Sequence, residues 1–293
     1  MLLILGWEDE SMTKETMTDM SGKFGPKPEG HPSIGKPCPV CEIPFAAGDY
    51  TTLVNLGPRN DENEEVPIIM CTWKRIERLP ITLDCLKNQT YKNFEFYVWN
   101  NNSNIVDAVE TLLDTAYPDL KVHVYHSDKN VGGFGRFMFA KRLIGKYKYV
   151  IFIDDDLELE DNVIECFMKE RKLKTIVAEW SWNFIPNSNY WNRRPTNPGE
   201  QAHYCGTGGM ILDISIFNDP LLFNCPNKFW MMVEDLWLSW LASKRGWNLR
   251  KSQLVSKDIN LREIDDGKNS YKSIIRKKSE FLQYLRQDRN WEV

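Results

Sequence analysis

From Val66 onward the chain alternates two patterns: a short apolar run, then a stretch with apolar residues at helical spacing. The runs are "VPIIMC", "FEFYVWN", "KVHVYHS" and "YKYVIFI". A continuous apolar run such as "VPIIMC" suits a parallel strand covered on both faces. Between the runs, "RLPITLDCLKNQ" puts Leu79, Leu83 and Leu86 on one helical face, with Pro80 in the first turn. "IVDAVETLLDTAYP" is a second helix ended by Pro118, and "GFGRFMFAKRLIGK" is a third that opens on glycines. Strand and helix in this rhythm fold as an open α/β sheet with right-handed crossovers. Such sheets bind ligands at the carboxyl ends of their strands.

One such end carries a cluster of acids. In "YVIFIDDDLELED", Asp154, Asp155 and Asp156 follow directly on an apolar run, although they repel one another and have poor strand propensity. In extended backbone alternate side chains share a face, so Asp154 and Asp156 are expected to point together and Asp155 away. Two carboxylates so placed suit a hard divalent cation such as Mg²⁺ or Mn²⁺. A solvated acidic turn capping "LELEDN" is the other reading, and Asp-x-Asp alone does not separate the two.

Residues 1 to 65 read as a flexible leader, because "MTKETMTDMSGKFGPKPEGHPSIGKP" is rich in Gly, Pro, Lys, Ser and Thr without periodicity. Cys38 and Cys41 in "CPVC" have zinc-knuckle spacing, but a structural Zn²⁺ wants four ligands and only His31 lies upstream. A degenerate zinc ribbon and two spare thiols in a tight turn both remain open. Seven cysteines, an odd number, argue for reduced thiols rather than a disulfide framework. The net charge of −4 gives no global pull toward nucleic acid or an anionic membrane. The apolar runs are far shorter than the ~20 residues a membrane helix needs. "MLLILGW" is too short for a signal peptide and is followed by acids, so a soluble, cytoplasmic protein without a transmembrane segment is expected.

Beyond Val163 come a helix, "NVIECFMKERK", a strand, "TIVAEWSW", and a long polar and aromatic loop. "YCGTGGMILDISIF" follows, then "VEDLWLSWLASKRGW", a helix that starts on acids. The final "YKSIIRKKSEFLQYLRQ" is an amphipathic helix with Ile274, Phe281 and Leu285 inward and "IIRKKSEF" as a solvated face. The loop offers Tyr190, Trp191, Arg193 and Arg194, whose aromatic faces and guanidinium groups suit an acceptor, while Trp180 and Trp182 are expected in the core. His123 and His126 flank a strand and read as structural.

"TWKRIERLPITLDCLKNQTYKNFEFYVWNNNSN", "NVGGFGRF", "FIDDDLELE", "CGTGGMILD" and "VEDLWLSWLASKRGW" occur in that order. In this the chain resembles family 2 glycosyltransferases of the GT-A fold, over about residues 66 to 250. The resemblance implies a mainly parallel, mixed open sheet flanked by helices, a Rossmann-like nucleotide-binding half over 66–160, an acceptor and catalytic half over 161–270, and a C-terminal helix over 271–293. It also implies sugar transfer from a nucleotide diphosphate donor, usually with inversion and a divalent metal, Mn²⁺ or Mg²⁺. A UDP-sugar is the expected donor.

Carried over residue by residue, Thr72, Arg75 and Glu77 fall where the family holds the nucleotide, as do Asn101 and Asn102. Asn130, Gly133 and Arg136 line the donor pocket with Asp154, Asp155 and Gly208. Asp154 and Asp156 match the metal motif, and Glu234 and Asp235 match the acidic pair that supplies the catalytic base. A sugar hydroxyl is a poor nucleophile near neutral pH, so a carboxylate must take its proton as the bond forms; Asp235 is chosen for this role. Acids in a first helical turn also simply favour the helix dipole.

Two features depart from the family pattern. "VWNNNSN" has asparagines where the family commonly has acids against the base, and no histidine follows the acidic helix, so Asp258, Asp265, Asp266 or water would complete a metal shell. The acceptor, a glycan, a small molecule or modified DNA, is left open. Rival readings are a nucleic-acid-associated protein, a glycosyltransferase acting on hydroxylated nucleobases, and an inactive nucleotide-sugar-binding relative.

Overall fold

The four apolar runs form β1 (Val66–Thr72), β2 (Phe94–Asn100), β3 (Val122–His126) and β4 (Tyr149–Ile153), all parallel where they pair. The structure is a computed structural model that describes residues 64–225, 232–256, 261–263 and 275–293. His31, Cys38, Cys41, Asp258, Asp265, Asp266 and Ile274 lie outside the described residues.

Helices α1 (Leu79–Asn88), α2 (Val106–Ala116) and α3 (Gly135–Arg142) make the crossovers. After β5 (Leu157–Leu159) and α4 (Val163–Glu170) come β6 (Thr175–Ala178), β7 (Ser181–Phe184), β8 (Arg193–Pro195), β9 (Tyr204–Cys205) and β10 (Gly209–Asp213). The chain then runs through α5 (Glu234–Lys244), β11 (Asn248–Lys251), β12 (Leu261–Glu263) and α6 (Ile275–Gln287). The seven-stranded sheet has the order β11-β6-β10-β4-β1-β2-β3, and β10 runs antiparallel to both of its neighbours. It is the mainly parallel α/β sheet of a GT-A fold.

Alternation along each strand divides the core into two layers. Ile68, Met70, Phe96, Val98, Ile151 and Ile153 pack on Leu79, Leu83 and Leu86 of α1 and on Phe167 of α4. Ile69, Tyr97, Trp99, Val150 and Phe152 face the other way, toward Phe137 of α3 and Trp237 and Trp240 of α5. Covering both faces explains why these strands read as unbroken apolar runs.

Four expectations need correction. "TIVAEWSW" is two strands: β6 enters the main sheet, and the chain leaves it at Glu179–Trp180 so that β7 joins a three-stranded sheet of order β8-β7-β9. The aromatic loop therefore has its own sheet, which polar composition concealed. Trp180 and Trp182 are half-buried rather than core. The third correction concerns α6, whose Phe281, Leu282 and Leu285 are buried as its amphipathic pattern requires. Lys278, assigned to its solvated face, instead points inward with only 15% of its side chain exposed. The fourth concerns the aspartates: β4 ends at Ile153, and Asp155 and Asp156 form a turn, so strand alternation does not govern them.

Among the described residues no helix is long and apolar enough to cross a membrane. Cys71, Cys85, Cys166 and Cys205 form no disulfide.

Candidate functional site

Register sets the ends of the parallel strands level. Thr72 pairs with Asn100, and Asn100 with His126, so β1, β2 and β3 finish at one edge beside the acids that follow β4. Thr72 closes β1 and is buried. Arg75 stands just beyond and is buried, and its Nη1 donates to Asp155 Oδ1 at 2.9 Å and to Asp156 Oδ2 at 3.1 Å. Asp155 and Asp156 thus share one guanidinium, whereas Asp154 faces another. Burial raises the Asp155 carboxyl above the ordinary range, and Arg75 opposes it. Glu77 sits exposed on the turn Ile76–Arg78.

Arg136, on α3, ties the site together. Its Nη2 donates to Asp154 Oδ1 at 2.7 Å, its Nη1 to the Thr207 carbonyl at 2.9 Å, and its Nε to the Gly133 carbonyl at 3.2 Å. Nε also lies 3.8 Å from Glu234 Oε1. One buried guanidinium therefore connects the end of β4, the loop before β10, the start of α3 and the start of α5. Two glycines permit this closeness. A Cβ on Gly133 would stand 1.8 Å from Glu234 Oε1, and one on Gly208 would stand 2.6 Å from Asp154 Oδ2. Any side chain at either position would displace a carboxylate.

The acidic pair divides at the N-terminus of α5. Glu234 faces Arg136, accepting from Thr207 Oγ1 at 3.2 Å, and burial pushes its carboxyl up to about 7 against the pull of Arg136. Asp235 faces the aromatic side. Its Oδ1 accepts from the Leu236 amide at 2.8 Å, its Oδ2 accepts from the Tyr204 hydroxyl, and Lys278 Nζ lies 3.6 Å from that same Oδ2.

The asparagines act as joints. Asn101 is buried; its Oδ1 accepts from Trp99 Nε1 and the Val131 amide, and its Nδ2 donates to the Gly132 carbonyl at 3.0 Å. Asn102 accepts from the Asn104 amide and donates to the Trp73 carbonyl, while Asn130 Oδ1 accepts from the Gly132 amide at 2.8 Å. These bonds fix the loops after β2 and β3 relative to each other. Cys71 lies beneath, its Sγ 3.7 Å from the Gly133 carbonyl, and burial pushes its thiol to about 12, which leaves no thiolate for nucleophilic work near neutral pH.

On the aromatic side, Tyr190 is buried and Trp191 is exposed. Arg193 packs 3.8 Å from the Tyr190 ring centroid and 4.4 Å from that of Trp182. Arg194 is turned outward and paired with Glu200. Tyr190 thus carries Trp191 and Arg193 against its ring, and Arg194 is engaged with Glu200.

Asp154 and Asp156 bring hard oxygen donors to one strand end, and the missing side chain of Gly208 leaves room beside Asp154 Oδ2. Among the described residues no group of three His, Cys, Asp or Glu side chains converges as a metal site. A cation here would draw its remaining ligands from phosphate oxygens and water, as Mg²⁺ and Mn²⁺ commonly do. The chain's own offer to such an ion is two carboxylates, each already bonded to an arginine.

A family model described as glycosyl transferase family 2 matches residues 68–233. The chain belongs to glycosyl transferase family 2. That match spans the ends of β1 to β4 and stops one residue before Glu234. Comparison with curated protein sequences gives no match. Among solved structures, GalNAc-T7 with UDP, GalNAc and Mn²⁺ aligns with a TM-score of 0.51 at 10% identity, covering 70% of this chain and 44% of that one. S. aureus TarS 1-349 in complex with UDP gives a TM-score of 0.47 at 13% identity, covering 66% of this chain. The match spans 59% of that TarS chain. The likeness to GalNAc-T7 shows the fold.

Sequence reasoning missed Tyr204, Thr207 and Lys278. A signal existed for Lys278: it stands three and seven residues before Phe281 and Leu285, on the same helical face.

Proposed function

We propose that this family 2 member transfers a glycosyl group from a nucleoside diphosphate sugar, with a UDP-sugar as donor, to an acceptor hydroxyl with inversion. The observation that carries this reading is Arg136, whose guanidinium joins Asp154, Thr207, Gly133 and Glu234 into one strand-end site. UDP and Mn²⁺ in the GalNAc-T7 structure motivate the choice of donor and cation.

Asp154 and Asp156 would hold a divalent cation, which when bound neutralises charge on the departing diphosphate as a Lewis acid. Arg75 and Arg136 keep the three aspartates from repelling one another and fix their orientation. Asp235, on the acceptor side, takes the proton from the attacking hydroxyl as the glycosidic bond forms. Inversion is the outcome that the resemblance to family 2 implies. Trp191 and Arg193 would bind the acceptor by stacking and charge.

Thermal-shift measurements with UDP and UDP-sugars, with and without MnCl₂, test this reading. UDP with Mn²⁺ should stabilise the protein in proportion to concentration over Kd. Equal shifts with AMP, or none with any nucleotide diphosphate, contradict it.

A further inference from the structure

We infer that Lys278, on the C-terminal helix α6, is a positioning residue for the transfer reaction, holding the Asp235 carboxylate together with Tyr190 and Tyr204. The inference rests on Asp235 serving as the base.

A lysine ammonium taken out of water needs partners, or it discharges. Lys278 has a specific set. Its Nζ lies 3.6 Å from Asp235 Oδ2, donates to the Tyr190 hydroxyl at 3.4 Å, and sits 5.3 Å from the Tyr190 ring centroid. Burial pulls the lysine toward its neutral form, and the charge of Asp235 with the Tyr190 hydroxyl more than reverses this. The Tyr190 hydroxyl bonds in turn to that of Tyr204 at 3.2 Å, and the Tyr204 hydroxyl donates to Asp235 Oδ2. Tyr204 and Lys278 therefore meet at one oxygen, and Tyr190 bridges the two of them.

The placement selects an atom. Oδ2 carries both Tyr204 and Lys278, whereas Oδ1 accepts only the Leu236 amide among the described residues. A carboxylate oxygen has two acceptor sites, so Oδ1 keeps one for an acceptor hydroxyl. The contacts on Oδ2 prevent the carboxyl group from rotating that site away.

Lys278 is not needed to dock α6. Phe281, Leu282, Leu285 and Trp291 are buried, and the Phe281 ring stacks 6.0 Å from Trp237. Trp240 Nε1 donates to the Arg289 carbonyl at 3.4 Å, and Arg286 donates to the carbonyls of Ile185 and Ser188, which pins the aromatic loop. Neutral truncation of Lys278 should leave the helix in place.

The experiment measures UDP release from a UDP-sugar with MnCl₂, water serving as the acceptor. It compares the intact protein with Lys278→Met, Lys278→Arg, Tyr190→Phe and Asp235→Asn, with Tm recorded for each. The expected result is a fall in kcat of about 10- to 100-fold for Lys278→Met, with KM for the donor and UDP affinity unchanged. Partial recovery in Lys278→Arg and a smaller fall in Tyr190→Phe should accompany it. A kcat within twofold of the parent in Lys278→Met, or a loss shared by KM and Tm, overturns the inference. If Asp235→Asn matches the parent rate, the assignment of the base fails first. If Asp235→Asn is slow and Lys278→Met is not, only the role of Lys278 fails.

Discussion

The two edges of the central sheet both bury carboxylates, and they do so in opposite ways. At the edge where the parallel strands begin, Glu95 on β2 accepts from Tyr97, Tyr147, Lys146 and His123 at 2.9–3.0 Å. Burial raises its carboxyl, but these donors outweigh burial and hold it at about 2. One acid is surrounded by donors, and nothing is left to bind. At the edge where the strands end, Asp154, Asp155, Asp156, Glu234 and Asp235 crowd around Arg75, Arg136 and Lys278. The acids outnumber the cations there, and Glu234 is pushed up to about 7 instead of down. The contrast separates a structural network from a cluster in which carboxylates outnumber cations, an excess that a divalent cation would offset.

Substitutions should separate the edges in the same way. The largest effect is expected from Asp235→Asn, which should lower the initial transfer rate by roughly 10²–10⁴-fold while circular dichroism stays unchanged. Loss of the folded signal instead would mean that the acid serves structure. Glu95→Ala should do the reverse, costing about 1–3 kcal/mol of unfolding free energy because it leaves the buried Tyr97 and Tyr147 hydroxyls without their acceptor. UDP affinity in the folded fraction should match the parent; weakened UDP binding would remove the distinction between the edges.

Gly133→Ala comes next, since its Cβ would stand 1.8 Å from Glu234 Oε1. Overpacking of this kind costs about 1–3 kcal/mol, and denaturant titration should report it. A further contrast is in pH dependence. Glu95, held at about 2 against an ordinary 4.5, contributes stability that is full above pH 4.5 and is lost as pH falls through 2. Glu234, raised to about 7, contributes stability that is full below pH 4.5 and is lost as pH rises through 7. Tm profiles of Glu95→Gln and Glu234→Gln should each flatten one limb, the acidic one for Glu95 and the neutral one for Glu234. Flattening of the same limb by both would contradict the assignment.

The sheet was legible because its strands are buried on both faces, so "VPIIMC" and "YVIFI" carry the pattern without help from neighbours. The strand-end acids were legible for the same reason, since Asp154 interrupts an apolar run. Their pairing was not. Arg75 and Arg136 reach them across 80 and 18 residues of sequence, and no local pattern encodes which guanidinium meets which aspartate. The β7–β9 sheet was hidden by polar loop composition. Lys278 was hidden because a lysine in an amphipathic helix reads as solvated, although its spacing to Phe281 and Leu285 placed it inward. Tertiary partners decided each of these cases.

Calorimetric titration of UDP in the presence of MnCl₂, on the parent and on Asp156→Ala, tests the strand-end site most directly. Cation-dependent binding in the parent that falls at least about tenfold in the variant is the predicted result. Equal affinity in both proteins, or affinity indifferent to the cation, would contradict it.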